Sequence, residues 1–203
     1  MSVPGIDHLG YQVDERLTAD QYRSVANQCG KKRVMSELFG ASGQGLTFRD
    51  RWCIAAQQPA FGVNLLVPHL ALYTMAGSRK TDHPPNLSHQ QPWWSANHWI
   101  DNALARLCWA VTQGERISTC LVLHPDDSAI AAWRVNHAFD ERDGVLVRRH
   151  ESAMADAEVQ AHVAGLDDTL KRVCESVRRQ QVAFDLGDES LLEELGSVSE
   201  ADG

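Results

Sequence analysis

The chain has 203 residues, of which 43% are hydrophobic and 23% are charged, and this composition is ordinary for a globular protein. Its formal net charge of −8 argues against nucleic acid or an anionic membrane surface as a partner. No segment approaches the roughly 18 apolar residues of a membrane span. The amino-terminal residues lack the basic and apolar regions of a secretory signal, so we expect a cytoplasmic protein.

Neither the cysteines nor the histidines are spaced like metal ligands. The five cysteines are widely separated and include no CxxC pair, so we expect buried, reduced thiols and neither a disulfide framework nor a zinc site. The nine histidines form no HExxH motif or similar close pair. The sequence therefore disfavours a zinc enzyme.

The amino-terminal part is predicted to contain a loop, a helix and a strand. Residues 1–18 are interpreted as a loop, and a helix over 19–29 ends at Gly30, which suits the left-handed conformation of a helix cap. The apolar run 32–37 then ends on a carboxylate, Glu37. This pattern is typical of a buried strand whose carboxyl end opens into a glycine-rich loop.

The middle of the chain is predicted to alternate helices with two further strands. A helix over 47–61 precedes a second short apolar run over 62–69. The irregular residues 73–94 are too many for a simple connection, and loops of this length are usually functional or disordered. Their aromatic content argues against disorder. A helix over 95–113 and a third apolar run over 117–123 follow.

The last part is predicted to hold a long amphipathic helix over 156–181, a fourth strand over 182–185 and a disordered tail over 196–203. Short buried strands alternating with helices are the signature of a parallel α/β sheet, so we expect all four strands to be neighbours in one sheet. Functional groups in such folds lie just past the carboxyl ends of the strands. Here those ends carry Glu37, His69, His124, Asp188 and Glu189.

Six stretches of the chain share motifs with one enzyme family. They are Ser36 to Gly43, Gly62 to His69, Arg79 to Asn86, Gln90 to Trp94, Val122 to Pro125 and Phe184 to Glu189. The most specific feature is the run Gln-Gln-Pro-Trp-Trp after an Arg-Lys-x-Asp-x-Pro-Pro loop. From about Pro4 to Leu195 the chain resembles glycoside hydrolase family 106, the α-L-rhamnosidases.

The resemblance implies an α/β fold of (β/α)₈ TIM-barrel type and the hydrolysis of terminal α-L-rhamnosides with inversion. Such a barrel needs at least about 200 to 250 residues. We therefore expect residues 1–203 to form a single partial barrel, with its opening strands and accessory domains missing and with low activity in isolation. The alternative is a non-catalytic carbohydrate-binding or structural remnant of a truncated glycosidase. Expected partners are a carbohydrate substrate and either further copies of the chain or the missing barrel portion.

Two carboxyl groups carry the expected chemistry, since inverting glycosidases hold such a pair roughly 6.5 to 9.5 Å apart. Glu37 is the expected general acid, and the structural alternative is a cap of the following loop or an ion pair with an arginine such as Arg49. Glu189 is the expected general base, with Asp188 as a competitor and Glu151 as a further alternative. The structural reading makes Asp188 a helix N-cap and Glu189 a first-turn residue.

Tryptophans and polar side chains are expected to bind the sugar. Trp93 and Trp94 offer apolar faces, and we expect one to stack on a sugar and the other to anchor its loop. The side chains expected to bind substrate hydroxyls are Asn64, His69, His89, His124 and Asp188. The tryptophans expected in the core are Trp52, Trp99, Trp109 and Trp133.

No cofactor is expected, with calcium as the one candidate that the resemblance implies for some members of the family. Oxygen ligands are available from Glu37, Asn64, Asp188 and Glu189, but the sequence holds no contiguous calcium loop of the EF-hand type.

Overall fold

The chain forms two compact units, residues 1–117 and residues 118–203, where the sequence was interpreted as one domain. The computed structural model describes residues 2–11, 16–81, 84–132, 139–142, 145–148 and 157–197. Parallel strands alternate with helices, so the predicted α/β class is confirmed. The described strands lie in three separate sheets, and they do not show a barrel. The expectation that the four apolar runs share one sheet was therefore wrong.

The first unit is built from parallel strands and the helices that connect them. In chain order its elements are β1 (Gly5–Leu9), α1 (Arg16–Gln28), β2 (Met35–Gly40), α2 (Phe48–Ala56), β3 (Leu65–Pro68) and α3 (Trp94–Val111). Short 3-10 helices cover Gln58–Phe61 and Gly77–Thr81.

The sheet of the first unit packs its helices on one face. Its strands are parallel in the order β1-β2-β3. Ile6 of β1 packs with α1 residues, and Leu38 of β2 packs with residues of α2 and α3, so these side chains form the buried face. Leu9, Leu65 and Val67 project from the opposite face and are exposed. The sheet therefore has one covered face and one open face.

The second unit contains a parallel strand pair and an antiparallel hairpin. In chain order its elements are β4 (Cys120–Leu123), α4 (Asp126–Ala132), β5 (Phe139–Arg142), β6 (Val145–Arg148), α5 (Ala157–Arg179), β7 (Phe184–Gly187) and α6 (Glu189–Leu195). β4 pairs with β7, and β5 pairs with β6. Every residue of β7 is buried, which fits a central position in the unit.

The sequence predicted the end of α1 correctly but not the end of β2. α1 ends near Gly30 as expected, because Gly30 takes a φ of 61° and Lys31 N donates to Ala26 O over 2.7 Å. The predicted strand end at Glu37 was wrong by three residues. β2 continues to Gly40, because Leu38 and the two residues after it are buried and hold the strand in the sheet.

Glu151 and Trp133 lie outside the described residues, as does most of the predicted tail over 196–203. Of the cysteines, Cys108 and Cys174 are buried as expected, whereas Cys53 is exposed. Burial raises the pKa of the Cys108 thiol. Among the residues that the structure describes, no helix has both the length and the apolar character that crossing a membrane requires.

Candidate functional site

Glu37 lies beside a second carboxyl group on the open face of the first sheet. It is the third residue of β2 and pairs in register with Asp7 of β1 and Val67 of β3. Paired residues of parallel strands project to the same face, and adjacent strands are about 4.8 Å apart. Asp7 is exposed and Glu37 is half-buried. The two side chains therefore present neighbouring carboxyl groups to one side of the sheet.

The contribution of Asp7 was missed because residues 1–18 were interpreted as a loop. The sequence gives no clear strand signal here, because Ile6, Asp7, His8 and Leu9 do not alternate between apolar and polar, and the buried face of β1 holds both Ile6 and His8. Glu37 and Arg49 form no ion pair in the part of the chain that the structure describes, so that pairing has no support.

His69 lies at the carboxyl end of the same face. Its backbone N donates to Leu38 O over 2.7 Å, which continues the pairing beyond β3. A Cβ atom built on Gly40 would lie 2.8 Å from Cδ2 of Leu9 and 3.3 Å from Cδ2 of His69. The imidazole therefore lies over Gly40, next to Leu9. Since His69 is two residues beyond Val67, its ring is roughly 7 Å further along the strands than the Glu37 row.

Asn64 lies at the opposite end of the strands from His69, directly before β3. Its Oδ1 accepts a 3.0 Å hydrogen bond from Val34 N, and its Nδ2 donates to Lys32 O over 3.0 Å. These bonds tie the segment before β3 to the segment before β2. Asn64 and His69, both expected to bind substrate hydroxyls, therefore lie at opposite ends of β3, because Asn64 precedes the strand and His69 follows it.

Four amide side chains hold the long segment between β3 and α3. Asn86 is fully buried, donates from Nδ2 to Gln90 Oε1 over 2.6 Å, and donates from its backbone N to Gln44 Oε1 over 3.0 Å. Gln91 donates to the same Gln44 oxygen over 3.2 Å. This network joins the glycine-rich segment after β2 to the Gln-Gln-Pro-Trp-Trp motif. The two glutamines of the motif are therefore structural.

Trp93 is an anchor, and it packs against a buried cation. The guanidinium carbon of Arg51 lies 4.4 Å from the ring centroids of both Phe48 and Trp93. Arg51 also donates to Asn97 Oδ1 over 2.6 Å, and Asn97 donates to Asp101 Oδ2. Burial lowers the pKa of Arg51 and raises the pKa of Asp101, so desolvation outweighs their mutual attraction at both groups.

Trp94 and His89 remain available at the surface of the first unit. Trp94 is 44% exposed, and His89 is exposed in the turn before the motif. Their contact with a sugar stays a prediction. The expectation that helical tryptophans lie in the core was wrong for the described ones, because Trp52, Trp99 and Trp109 are exposed. Trp133 lies outside the described residues.

In the second unit, His124 and Asp188 lie at the carboxyl ends of β4 and β7. His124 N donates to Gly187 O over 2.8 Å, and its Nδ1 lies 2.5 Å from Asp126 Oδ1. Asp188 is the N-cap of α6 and accepts from Leu191 N over 3.1 Å. Hydrogen bonds from Ser190 and Leu191 lower the pKa of Asp188. The structural reading of Asp188 as a cap is therefore confirmed.

Glu189 occupies the first turn of α6 and is exposed. A side-chain hydrogen bond with Asp127 raises the pKa of Glu189, and burial and neighbouring carboxylates add to the rise. A raised pKa makes the ionised carboxylate a stronger base. Glu37 belongs to the first unit and Glu189 to the second, so the pairing of these two residues in catalysis stays a prediction.

Asn64 and Glu37, two of the expected calcium ligands, lie apart on the first sheet. Asn64 Oδ1 already accepts from the backbone at the amino edge of the sheet, whereas Glu37 projects from its open face. Within the described ranges, no group of three or more His, Cys, Asp and Glu side chains is arranged to hold a metal ion.

A groove of about 1130 Å³ lies at the amino edge of the first sheet. Its cations include Lys31, Lys32 and Arg33, which follow α1, and Arg116, which follows α3. Positive side chains near helix carboxyl ends offset the partial negative charge of the helix dipole. Neither α1 nor α3 has a basic residue in its last turn, so the helix dipoles do not account for these cations, and the groove lies on the edge away from His69.

Comparison with models of protein families gives no match to this chain, and comparison with curated proteins gives no significant match.

Proposed function

We propose that this chain carries part of the active site of a glycoside hydrolase of (β/α)₈ type that acts on terminal α-L-rhamnosides. The motif resemblance supplies the substrate class. The observation that supports the chemistry is the in-register pairing of Asp7 and Glu37 on the open face of a parallel sheet. Two neighbouring carboxyl groups are what glycosidase chemistry requires.

The order of the strands and the placement of the helices in the first unit also favour its interpretation as part of the wall of a barrel. A barrel has consecutive parallel strands, an outer layer of helices and an inner face that carries the site at its carboxyl end. The strands run in the order β1-β2-β3, and α1, α2 and α3 supply the core residues of one face. His69 lies at the carboxyl end of the other face, beyond the Glu37 row.

Glu37 is the proton donor in this proposal. Its carboxyl proton passes to the glycosidic oxygen as the bond from that oxygen to the anomeric carbon breaks. In an inverting reaction a second carboxylate takes a proton from the water that attacks the anomeric carbon. In a retaining reaction the second carboxylate attacks that carbon itself, and water later hydrolyses the ester.

Asp7 and Glu189 are the two candidates for the second carboxylate. Asp7 is adjacent to Glu37, and carboxyl groups roughly 5 to 5.5 Å apart are typical of retention. Glu189 belongs to the inverting mechanism that the resemblance implies. The configuration of the first sugar product, read by proton NMR before mutarotation, separates them: retention supports Asp7, and inversion supports a more distant base such as Glu189.

The test of Glu37 uses two substrates that differ in leaving group. Glu37→Gln is expected to slow the hydrolysis of phenyl α-L-rhamnoside by roughly 100- to 10,000-fold, because the poor leaving group needs a proton. Hydrolysis of the 2,4-dinitrophenyl rhamnoside should slow far less. Because three strands supply only part of a barrel site, turnover by the isolated chain is expected to be slow, and long incubations are needed.

Glu115→Gln is the matched control, since Glu115 is exposed in the groove at the amino edge. It should leave the hydrolysis of both substrates unchanged. An equal loss on both substrates in Glu37→Gln would show that Glu37 is not the acid.

A second candidate function is carbohydrate binding without turnover, and the exposed ring of Trp94 favours it. In that case L-rhamnosides bind in calorimetry, Trp94→Ala abolishes binding, and neither rhamnoside is hydrolysed. A chain that neither hydrolyses nor binds rhamnosides would contradict both candidates.

A further inference from the structure

The groove at the amino edge of the first sheet is lined mainly by charged side chains of one sign. Its exposed cations are Lys31, Lys32, Arg33 and Arg116. The first three lie between α1 and β2, and the fourth follows α3. Of the described residues that line the groove, only Glu115 is acidic. Since the whole chain has a net charge of −8, this concentration of cations does not reflect its average composition.

Three of these cations have no carboxylate partner. Within the part of the chain that the structure describes, none of residues 31–33 forms an ion pair. On α5, by contrast, Lys171 Nζ lies 2.5 Å from Asp167 Oδ2. Adjacent like charges repel one another, and an opposite charge placed between them lowers that energy. The fold therefore leaves positive charge in this groove that a ligand with several negative charges would balance.

A fifth cation, Arg23, belongs to the wall of the groove and is already balanced. It is 8% exposed, and its Nη1 lies 2.6 Å from Asp20 Oδ1. A Cβ atom built on Gly62 would lie 2.5 Å from Cδ of Arg23, so the stem of the arginine packs against this glycine. Arg23 therefore shapes the groove, and the exposed cations supply its charge.

The two cationic segments are held close together. Arg33 Nη1 donates to Asn64 O over 3.1 Å, which holds the arginine beside the segment before β3. Burial raises the pKa of the Cys108 thiol on α3, and the nearby charge of Arg33 partly offsets that rise. Residues 31–33 therefore lie near the carboxyl-terminal part of α3, which leads to Arg116. Cations from both segments are in position to contact a single ligand.

We propose that this groove binds an organic phosphate of about the size of a nucleotide. A phosphate ester group carries a charge of about −1.5 to −2 at neutral pH and three strong acceptor oxygens, which suits several cations in a small space. Arginine binds two phosphate oxygens through its planar guanidinium, and lysine contributes a point charge. A monocarboxylate would leave most of the positive charge unbalanced.

The groove also offers apolar surface for the organic part of the ligand. Val111 is 43% exposed and Ile117 is 78% exposed, and both line the groove together with Ala60. The volume of about 1130 Å³ slightly exceeds the roughly 300 to 1,000 Å³ of typical ligand sites, and inorganic phosphate alone would fill little of it. A long polyanion such as RNA fits less well, because the net charge of −8 repels it over the rest of the surface.

The test is isothermal titration calorimetry of the full chain with ADP, glucose 1-phosphate, inorganic pyrophosphate and adenosine. ADP or glucose 1-phosphate should bind, and the tighter of the two shows whether the organic part is a nucleoside or a sugar. Adenosine should not bind, since it has no phosphate. Lys31→Gln and Lys32→Gln should each weaken the binding by about 5-fold or more, because each removes a charge-assisted contact. Added salt should weaken it as well, because exposed charges are screened.

Lys80→Gln is the matched control, because Lys80 is exposed in the first unit outside the groove and the substitution removes the same charge. It should leave the dissociation constant unchanged, and circular dichroism should show that every variant is folded. Failure of both organic phosphates to bind at millimolar concentration overturns the proposal, as does binding that neither lysine variant weakens. Inorganic pyrophosphate that binds as tightly as both organic phosphates overturns the choice of an organic ligand.

The groove lies at the amino end of the strands, whereas His69 lies at the carboxyl end. Binding of a phosphate in the groove therefore does not depend on rhamnoside hydrolysis, and the calorimetry and the hydrolysis assay succeed or fail separately.

Discussion

Arg51 Nη1 donates a 2.6 Å hydrogen bond to Asn97 Oδ1, and this bond joins α2 to α3 inside the first unit. Arg51 is only 3% exposed, so its positive charge is held away from water. A buried charge is costly when it loses a partner. The bond therefore sets the position of α3 relative to α2, and with it the start of α3 at the Trp93–Trp94 pair.

Asn97→Ala is expected to lower the free energy of unfolding by about 1.5 to 3 kcal/mol, because it leaves the buried Arg51 cation without this acceptor. Urea unfolding followed by circular dichroism measures the change. Asn102→Ala, at an exposed position of the same helix, is the control and should shift the free energy by less than about 0.5 kcal/mol. Equal effects of the two substitutions would show that the Arg51 bond adds no stability.

Asn64→Ala separates a structural role from sugar binding. The substitution removes the two hydrogen bonds that join the segments before β2 and β3, so we expect a loss of about 1 to 3 kcal/mol in unfolding free energy. The affinity for L-rhamnosides, measured by calorimetry well below the melting temperature, should not change. Loss of affinity with unchanged stability would restore Asn64 as a substrate-binding residue.

His8 is expected to be a site where an apolar residue stabilises the chain. It is 1% exposed on β1, next to Leu38 in register, and neither ring nitrogen has a partner among the described residues. A buried polar group without a partner costs about 1 to 3 kcal/mol, so His8→Leu should raise the unfolding free energy by about 1 to 2 kcal/mol. His98→Leu, at an exposed position, is the comparison. A destabilised His8→Leu chain would mean that the imidazole makes a bond that the fold requires.

Asp188 makes stability depend on pH in the acid range. Its pKa lies below the ordinary 3.8 because Ser190 and Leu191 donate to the carboxylate. A carboxyl group whose pKa is lower in the folded chain than in the unfolded chain stabilises the fold at any pH above the unfolded pKa. This contribution is lost as the pH falls through the folded pKa.

Asp188→Asn keeps the N-cap but does not titrate. As the pH is lowered from about 4 to about 2, the melting temperature of the variant should therefore fall less than that of the wild type. Asp168→Asn on the exposed surface of α5 makes the same change in net charge and should retain the wild-type slope. Parallel melting curves for all three proteins would show that the cap does not depend on the charge of Asp188.

The sequence predicted the elements whose signals are local. The cap at Gly30 and the amphipathic pattern of α5 depend on nearby residues, and both elements were predicted close to their bounds. β1 was missed because its five residues have too little length to be distinguished from a loop. The exposure of Trp99 was also mispredicted, because hydrophobicity alone does not report which face of a helix packs.

The position of a candidate site residue was predictable only where a single strand determines it. His69 follows β3 and lies at the carboxyl end, as its position after an apolar run indicated. The pairing of Glu37 with Asp7 depends on the register between β1 and β2, which periodicity within one strand does not determine. The structural role of Asn64 was not predicted for the same reason. Its side chain forms hydrogen bonds with backbone atoms that lie 30 and 32 residues earlier in the chain.

Leu9 and His69 both lie close to the position that a side chain at residue 40 would occupy. A methyl group at position 40 would press first on the tip of Leu9, a flexible and half-exposed side chain that has room to rotate, and then on the imidazole by a few tenths of an ångström. The carboxyl residues and the buried face of the sheet would be untouched. The shape of the open face at its carboxyl end can therefore change through position 40 alone, while the fold is kept.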